Sequence, residues 1–315
     1  MIRHESLADH EAPSATPLDV EGLICVSRPY FALENLRRIA PGRVVATVPI
    51  EADQGRQAAV IGIGEVGRHL AILGLCAAST LNRKTGRHAY LARTAHAEWL
   101  AEATLSPHHD LLIGHARAVF DNSRHARADT RLTDATTGEV LAHMTIGYDV
   151  LPHKLLTRLL GEPYPGVSPT ANPYAAPIPL DRLTYDADAG IVSGELNITA
   201  DLCSGHFDNH PVLPVAIAAT AMTNLVDYAI AQRCPDARWL AGPLTLKADH
   251  FARPGQTVTF TATPTQGTGY HCVAQLNDQT IASVTINLVF VDTHNLSEPQ
   301  TPPDCLAQQT GTSGP

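Results

Sequence analysis

The sequence predicts an α+β protein made of two copies of one small unit, each a β-sheet with a single apolar helix on its face. Three observations lead there. Two long apolar stretches of helical character, Gly64 to about Asn82 and Val215 to about Gln232, occupy comparable places in the two halves of the chain. Strand-like runs precede and follow each of them, alternating in polarity and rich in β-branched residues. Between the halves lies GEPYPGVSPTANPYAAPIP, residues 161–179, whose proline density forbids a continuous helix or a central strand.

Taken in order, residues 1–18 are polar, without periodicity, and read as a disordered tail. The first domain, 19–160, opens with the strand candidate RVVATVPI at 43–50 and then the first helix. Its remaining strands are HAYLARTAHAEWL, LLIGHARAVFDN, HARADTRLTD and EVLAHMTIGYDV. Residues 161–179 form the linker. The second domain, 180–293, has IVSGELNITA, the second helix, RWLAGPLTLKADHF, QTVTFTATPT, YHCVAQLN and QTIASVTINLVFVD. Residues 294–315 read as a second tail. The closing strands share a pattern, TGEVLAHMTIGYDV against NDQTIASVTINLVFV, as expected of a duplicated unit related by a pseudo-twofold axis.

Composition bounds the function. Of 315 residues, 44% are hydrophobic and 17% charged, which suits about two globular domains and excludes a disordered chain. The net charge of -9 argues against nucleic acid as the main partner. No apolar run reaches the ~20 residues of a membrane helix, and the first residues carry no apolar signal core, so a cytoplasmic protein is expected. Cysteines 25, 76, 203, 234, 272 and 305 show no CxxC spacing and read as reduced thiols.

The chemistry concentrates in GHFDNHPVLPVAIAATAM, residues 205–222. His206-Phe207, then His210-Pro211-Val212, then Pro214 and a helix resemble the HF-xx-HPV-x-P signature of the bacterial β-hydroxyacyl-carrier-protein dehydratases. The resemblance covers residues ~180–292 directly and implies a tandem, or double, hot-dog fold, each half an antiparallel sheet wrapped around one long central helix. It also implies a 3-hydroxyacyl thioester substrate, carried on acyl carrier protein or coenzyme A as a phosphopantetheine thioester, with no further cofactor and no metal. The pathway class is fatty-acid or polyketide-type biosynthesis.

In that family the first histidine removes the α-proton, a role that the resemblance carries to His206, whose pKa range suits it. The backbone N–H of Val215, at the helix start, then polarises the thioester carbonyl. Phe207, Pro214 and Thr220 are expected to line the substrate site. His210 reads as a loop brace and Asp208 as a loop or cap residue. Two departures matter. Val215 stands where the family has glycine, and Thr220 where it has the acid that protonates the leaving hydroxyl.

The first helix offers a replacement. Superposing the helices pairs Gly64 with Val215 and His69 with Thr220, and puts Glu65, Arg68 and His69 on one face. Three ionisable groups on an apolar helix need partners. The expectation is one composite site between the halves, with His206 as base and Glu65 or His69 as acid, although Glu65, Arg68 and His69 could also form a plain local ion network. The residue opposite His206 in the first half falls near Gly55. A tunnel lined by Leu73, Ala216, Ile217 and Ala219 should run between the helices. Arg83, Lys84 and Arg87 form a basic lip that could dock an acidic carrier protein, or simply a solvated helix end. A homodimer is possible.

Two alternatives stay open. A hot-dog thioesterase, or an acyl-transfer or cyclising enzyme, would use a carboxylate such as Glu65 to activate water or a hydroxyl. A non-catalytic acyl-binding protein would keep the cavity without depending on His206. GIGEVG at 62–67 matches G-x-G-x-x-G, but the strand–helix alternation of a dinucleotide fold does not follow it. The adjacent His108 and His109 are a poor metal site.

Overall fold

The structure, a computed structural model, describes residues 15–100, 111–161, 163–164, 172–207, 209–291 and 299–300. The first half contains β1 (Thr16–Pro17), β2 (Glu34–Ala40), β3 (Arg43–Val48), helix α1 (Ile63–Ser79) and β4 (His88–Trp99). It continues with β5 (Leu112–Asn122), β6 (His125–Asp134), β7 (Val140–Pro152) and helix α2 (His153–Leu160). The second half contains β8 (Asp181–Asp186), β9 (Ile191–Asn197), helix α3 (Val215–Arg233) and β10 (Arg238–Ala248). It closes with β11 (Thr257–Pro264), β12 (Tyr270–Leu276), β13 (Gln279–Val291) and β14 (Pro299–Gln300).

The strands form one antiparallel sheet in the order β1-β2-β3-β5-β6-β7-β4-β10-β13-β12-β11-β9-β8. Apart from the two-residue β1 at the first edge, the two halves follow the same path inward: two strands before the helix, three strands after it, and last the strand that directly follows the helix. Those two innermost strands, β4 and β10, pair across the middle, with Leu244 opposite Ala97 and Lys247 opposite Thr94. The closing strands that share a sequence pattern, β7 and β13, hold equivalent places, each beside the seam strand of its half.

Alternation explains the strands. In β9 and β6 every second side chain is buried under a helix and the next faces outward. Helix α1 lies against β3, β5, β6 and β7, helix α3 against β9, β11, β12 and β13, and the two helices touch each other. Both are therefore apolar almost all round rather than amphipathic. They approach closely because Gly64 faces Thr220, where an added Cβ would clash with the threonine side chain and backbone.

Several expectations change. Part of each expected tail is paired: Thr16–Pro17 with Arg37 and Arg38, and Pro299–Gln300 with Phe290 and Val291. Residues 1–14 and 301–315 lie outside the described residues, as do His108 and His109. Strands β2 and β8 and helix α2 had no signal strong enough to read. Cys25, Cys76, Cys203 and Cys272 are buried and not disulfide-bonded. Cys234 is disulfide-bonded, which corrects the expectation of six reduced thiols. Separation in sequence does not reveal which thiols meet in space. Among the described residues no helix is long and apolar enough to cross a membrane.

Candidate active site

The loop carrying the signature is held by the N-terminal segment. Val26 bridges His206, Ser27 N–H donates to the Gly205 carbonyl at 2.8 Å, and Phe207 N–H donates to the Cys25 carbonyl at 2.9 Å. Gly205 has φ +78° and packs against Ser27 and Tyr30 backbone so tightly that a Cβ does not fit. Phe207 has φ +67°, a conformation unfavourable for a bulky residue by about 1 kcal/mol or more. The result fixes the His206 ring, which stacks on Phe207 at 3.9 Å and meets Tyr30 at 5.1 Å.

His206 Nδ1 lies 3.0 Å from the Val212 carbonyl oxygen. A carbonyl only accepts, so Nδ1 carries the proton and Nε2 keeps its lone pair. Burial opposes the charged ring and lowers its pKa to about 4, although the Val212 bond pulls the other way. The ring is therefore neutral near pH 7, with Nε2 as a base.

His206 lines a mostly apolar pocket. Its wall includes Tyr30, Phe207, Leu213, Val215, Ala216 and Ala218, faced by Ala71, Ile72 and Leu75 of α1. Its rim carries Arg93, Asp249 and His250. Val215 and Ala216 open helix α3, where no preceding helical carbonyl exists for their N–H groups. They are available to a developing oxyanion. The wall thus joins both halves, as expected, but Leu73, Ile217 and Ala219 belong to the packed core behind it.

Five other sequence-derived site residues fall elsewhere. Thr220 donates its hydroxyl to the Ala216 carbonyl at 2.9 Å and faces Gly64 at the helix crossing. Pro214 is the N-cap of α3 rather than a wall residue. Arg68 ion-pairs with Glu51 and lies over the Tyr174 ring, 5.0 Å from its centroid. Glu65 accepts the backbone N–H groups of Glu51 at 2.6 Å and Ala52 at 3.3 Å. His69, fully buried, sits 3.5 Å from Glu65 and 3.6 Å from Glu51. Burial lowers its pKa.

The three polar residues of α1 do meet, but in a network with Glu51 and Asn172. No direct hydrogen bond or ion pair joins His206 to Glu65 or His69 among the described residues, and neither lines its pocket. The connection runs through rings: His206 to Tyr30, Tyr30 to Tyr174 at 5.5 Å, and Tyr174 to Arg68. The composite site expected from the sequence, with His206 as base and Glu65 or His69 as acid, thus has no direct contact between those groups among the described residues. One face of a helix fixes which side chains adjoin each other, not which cavity they reach. Glu51, Glu65 and His69 offer donor atoms within 4.8 Å of one another, as a cation site would. The Arg68 guanidinium already supplies the positive charge there.

Sequence reasoning missed Tyr30, Tyr174 and Glu51. Tyr174, inside the expected linker, donates its hydroxyl to the Ser204 carbonyl at 2.7 Å and so braces the turn before His206. His210 holds the loop through its backbone N–H to the Phe207 carbonyl at 3.0 Å, and its buried Nδ1 has no hydrogen-bond partner among the described residues. Asp208 lies outside the described residues. At the Gly55 corner, expected from the sequence to lie opposite His206, Asp227 fills the space: it accepts the Trp239 indole N–H at 2.9 Å and lies 3.8 Å from Arg56.

No protein-family model matches the chain, and a search of curated proteins finds no match either. Solved structures do match. A 12:0-ACP thioesterase from Umbellularia californica is 12% identical over 82% of this chain and 94% of its own, with a TM-score of 0.52. The TesB protein of Mycobacterium avium subs paratuberculosis gives the same identity and score over 82% and 96%. An acyl-ACP thioesterase from Bacteroides thetaiotaomicron is 12% identical over 78% and 97%, with a TM-score of 0.50. The single large antiparallel sheet with its few helices is consistent with the hot-dog fold of these structures.

Proposed function

We propose that this protein is an acyl-thioester hydrolase, a tandem hot-dog enzyme with one working pocket between its halves. The observation that carries the proposal is His206: Nδ1–H tied to Val212, Nε2 unprotonated, on the wall of an apolar pocket beside the free amides of α3. In this reading the acyl chain lies against Ala71, Ile72 and Leu75, and the thioester carbonyl accepts from Val215 N–H. His206 Nε2 takes a proton from water as it attacks, and returns it to the leaving thiolate. The substrate arrives on acyl carrier protein or coenzyme A. Each half is a hot-dog unit, its sheet wrapped around its own helix, a reading supported by the repeated strand order.

Dehydration of a 3-hydroxyacyl thioester is the second reading, favoured by the signature around His206. Against it stands the wall opposite His206, made of Ala71, Ile72 and Leu75, with Glu65 holding loop amides instead. The two readings separate on one experiment. Decanoyl- and 3-hydroxydecanoyl-thioesters are incubated with the protein and followed by mass. Free decanoic acid supports hydrolysis. Loss of water from the hydroxyacyl substrate alone overturns it in favour of dehydration.

A further inference from the structure

We propose that helix α2 and the basic surface beside it form the docking site for an acidic acyl carrier protein that presents its thioester to the His206 pocket. The proposal rests on the acyl-thioester reading and names the partner. The helix, HKLLTRLL, buries Leu156 and Leu160 and leaves Leu155 and Leu159 47% and 57% exposed. The buried pair packs with Cys25, Ala89, Phe207 and Val212, next to Leu91 and Phe251. Phe207, Leu91 and Phe251 also line the pocket, so α2 is a single side-chain layer from it.

Its outer face combines two features. Leu155 and Leu159 are flanked by the exposed Lys154 and Arg158. Tyr164, 42% exposed, lies beyond the helix and donates its backbone N–H to Asn209 of the signature loop at 2.7 Å. The start of the helix leads to further cations. His153 N–H bonds the Arg87 carbonyl, Val150 N–H bonds the Arg124 carbonyl, and Lys84 Nζ donates to the Ser123 carbonyl at 2.9 Å, with Arg83 exposed beside it. Of the carboxylates near these cations among the described residues, Asp149 is held by Arg93 and His125, and Asp121 is exposed.

On a chain of net charge -9, this local excess of cations selects an anionic partner. The leucines decide its kind. A nucleotide handle such as that of coenzyme A gains nothing from two exposed aliphatic side chains, whereas a protein helix with acidic rims and an apolar centre buries them.

The test uses the full chain and two double variants on exposed positions, Leu155→Ser with Leu159→Ser, and Lys154→Glu with Arg158→Glu. A decanoyl group is offered on a bacterial acyl carrier protein and on pantetheine alone, and binding of the holo carrier protein is measured by calorimetry. The expected result is a KM for the carrier substrate raised about tenfold in either variant, weaker carrier binding, and unchanged turnover of decanoyl-pantetheine. Equal effects on both substrates, or none, overturn the proposal. If the wild type turns over neither substrate, the thioester reading fails, and carrier binding lost in both variants still supports the docking site. Variants that instead lose binding to anionic phosphatidylglycerol vesicles, or change the sedimentation of the protein itself, assign the face to a membrane or a second copy and overturn it.

Discussion

Val212 accepts the Nδ1–H of His206 at 3.0 Å, across the proline-bracketed turn that leads into α3. The two residues are six positions apart, and their contact decides which ring nitrogen can act as a base. The HPV-x-P segment thus serves His206 first through a carbonyl.

Asparagine at position 206 separates that contact from the chemistry. Its amide N–H can replace Nδ1–H, so His206→Asn should keep the thermal midpoint within a few degrees. It has no basic nitrogen, and kcat on the thioester substrate should fall about 100-fold or more. His206→Ala should lose the activity and also some stability. Paired melting curves and steady-state rates check both.

The low pKa of His206 sets a pH signature. In the proposed hydrolysis the neutral ring is the active form, so kcat/KM should stay level from pH 8 to pH 5 and fall by half near pH 4. A break near 6.5 instead would show that the titrating base is not this buried ring. Stability follows the same group. Its folded pKa is below the unfolded value, so the unfolded state takes up the proton first. Stability is therefore fullest above pH 6.5 and declines as pH drops toward 4, by on the order of 2–3 kcal/mol from this residue. His69, whose pKa is also lowered by burial, acts in the same direction. Denaturant titrations across that range measure the slope.

Glu51 and Glu65 should prove structural. Glu51→Ala leaves the buried Arg68 guanidinium without its carboxylate and should cost about 3–5 kcal/mol. Glu65→Gln keeps an acceptor for the loop amides but no carboxylate. It should retain kcat within about threefold while lowering the unfolding free energy by about 1 kcal/mol. A 100-fold loss of kcat in Glu65→Gln would restore Glu65 to the chemistry.

The helix crossing gives a packing test. Gly64→Ala drives a methyl group into Thr220 and should destabilise the protein by about 2 kcal/mol. Thr220→Ala removes part of the obstruction, so the double variant should recover some of that loss. Additive effects in the thermal cycle would show that the helices do not meet there.

Much of this was readable because it is periodic or local. The two apolar helices and the long strands follow from patterning, and β7 and β13, whose sequences share a pattern, hold equivalent places in the sheet. The HF-xx-HPV-x-P spacing located His206, because a short loop leading into a helix keeps its contacts close in sequence. What stayed hidden depends on distant pairs. Tyr174 is embedded in a proline-rich stretch that looks like a linker, yet it holds the turn before His206. Tyr30 and Glu51 carry no motif and acquire their roles only when the chain returns to them. Glu65 and His69 were rightly grouped on one face of α1. What that face touches is set by Glu51 and Arg68, which no helical periodicity encodes.

The seam between β4 and β10 bears on how the chain comes into being. Thr94–Ala97 find their partners in Leu244–Lys247, so the sheet cannot close until most of the polypeptide exists. Until then the first half carries a bare edge, ready to accept any strand of suitable register. Released from its other half, it would pair with itself or precipitate. The polypeptide connection between the halves supplies the missing edge at high local concentration, and thereby excludes neighbouring chains during synthesis.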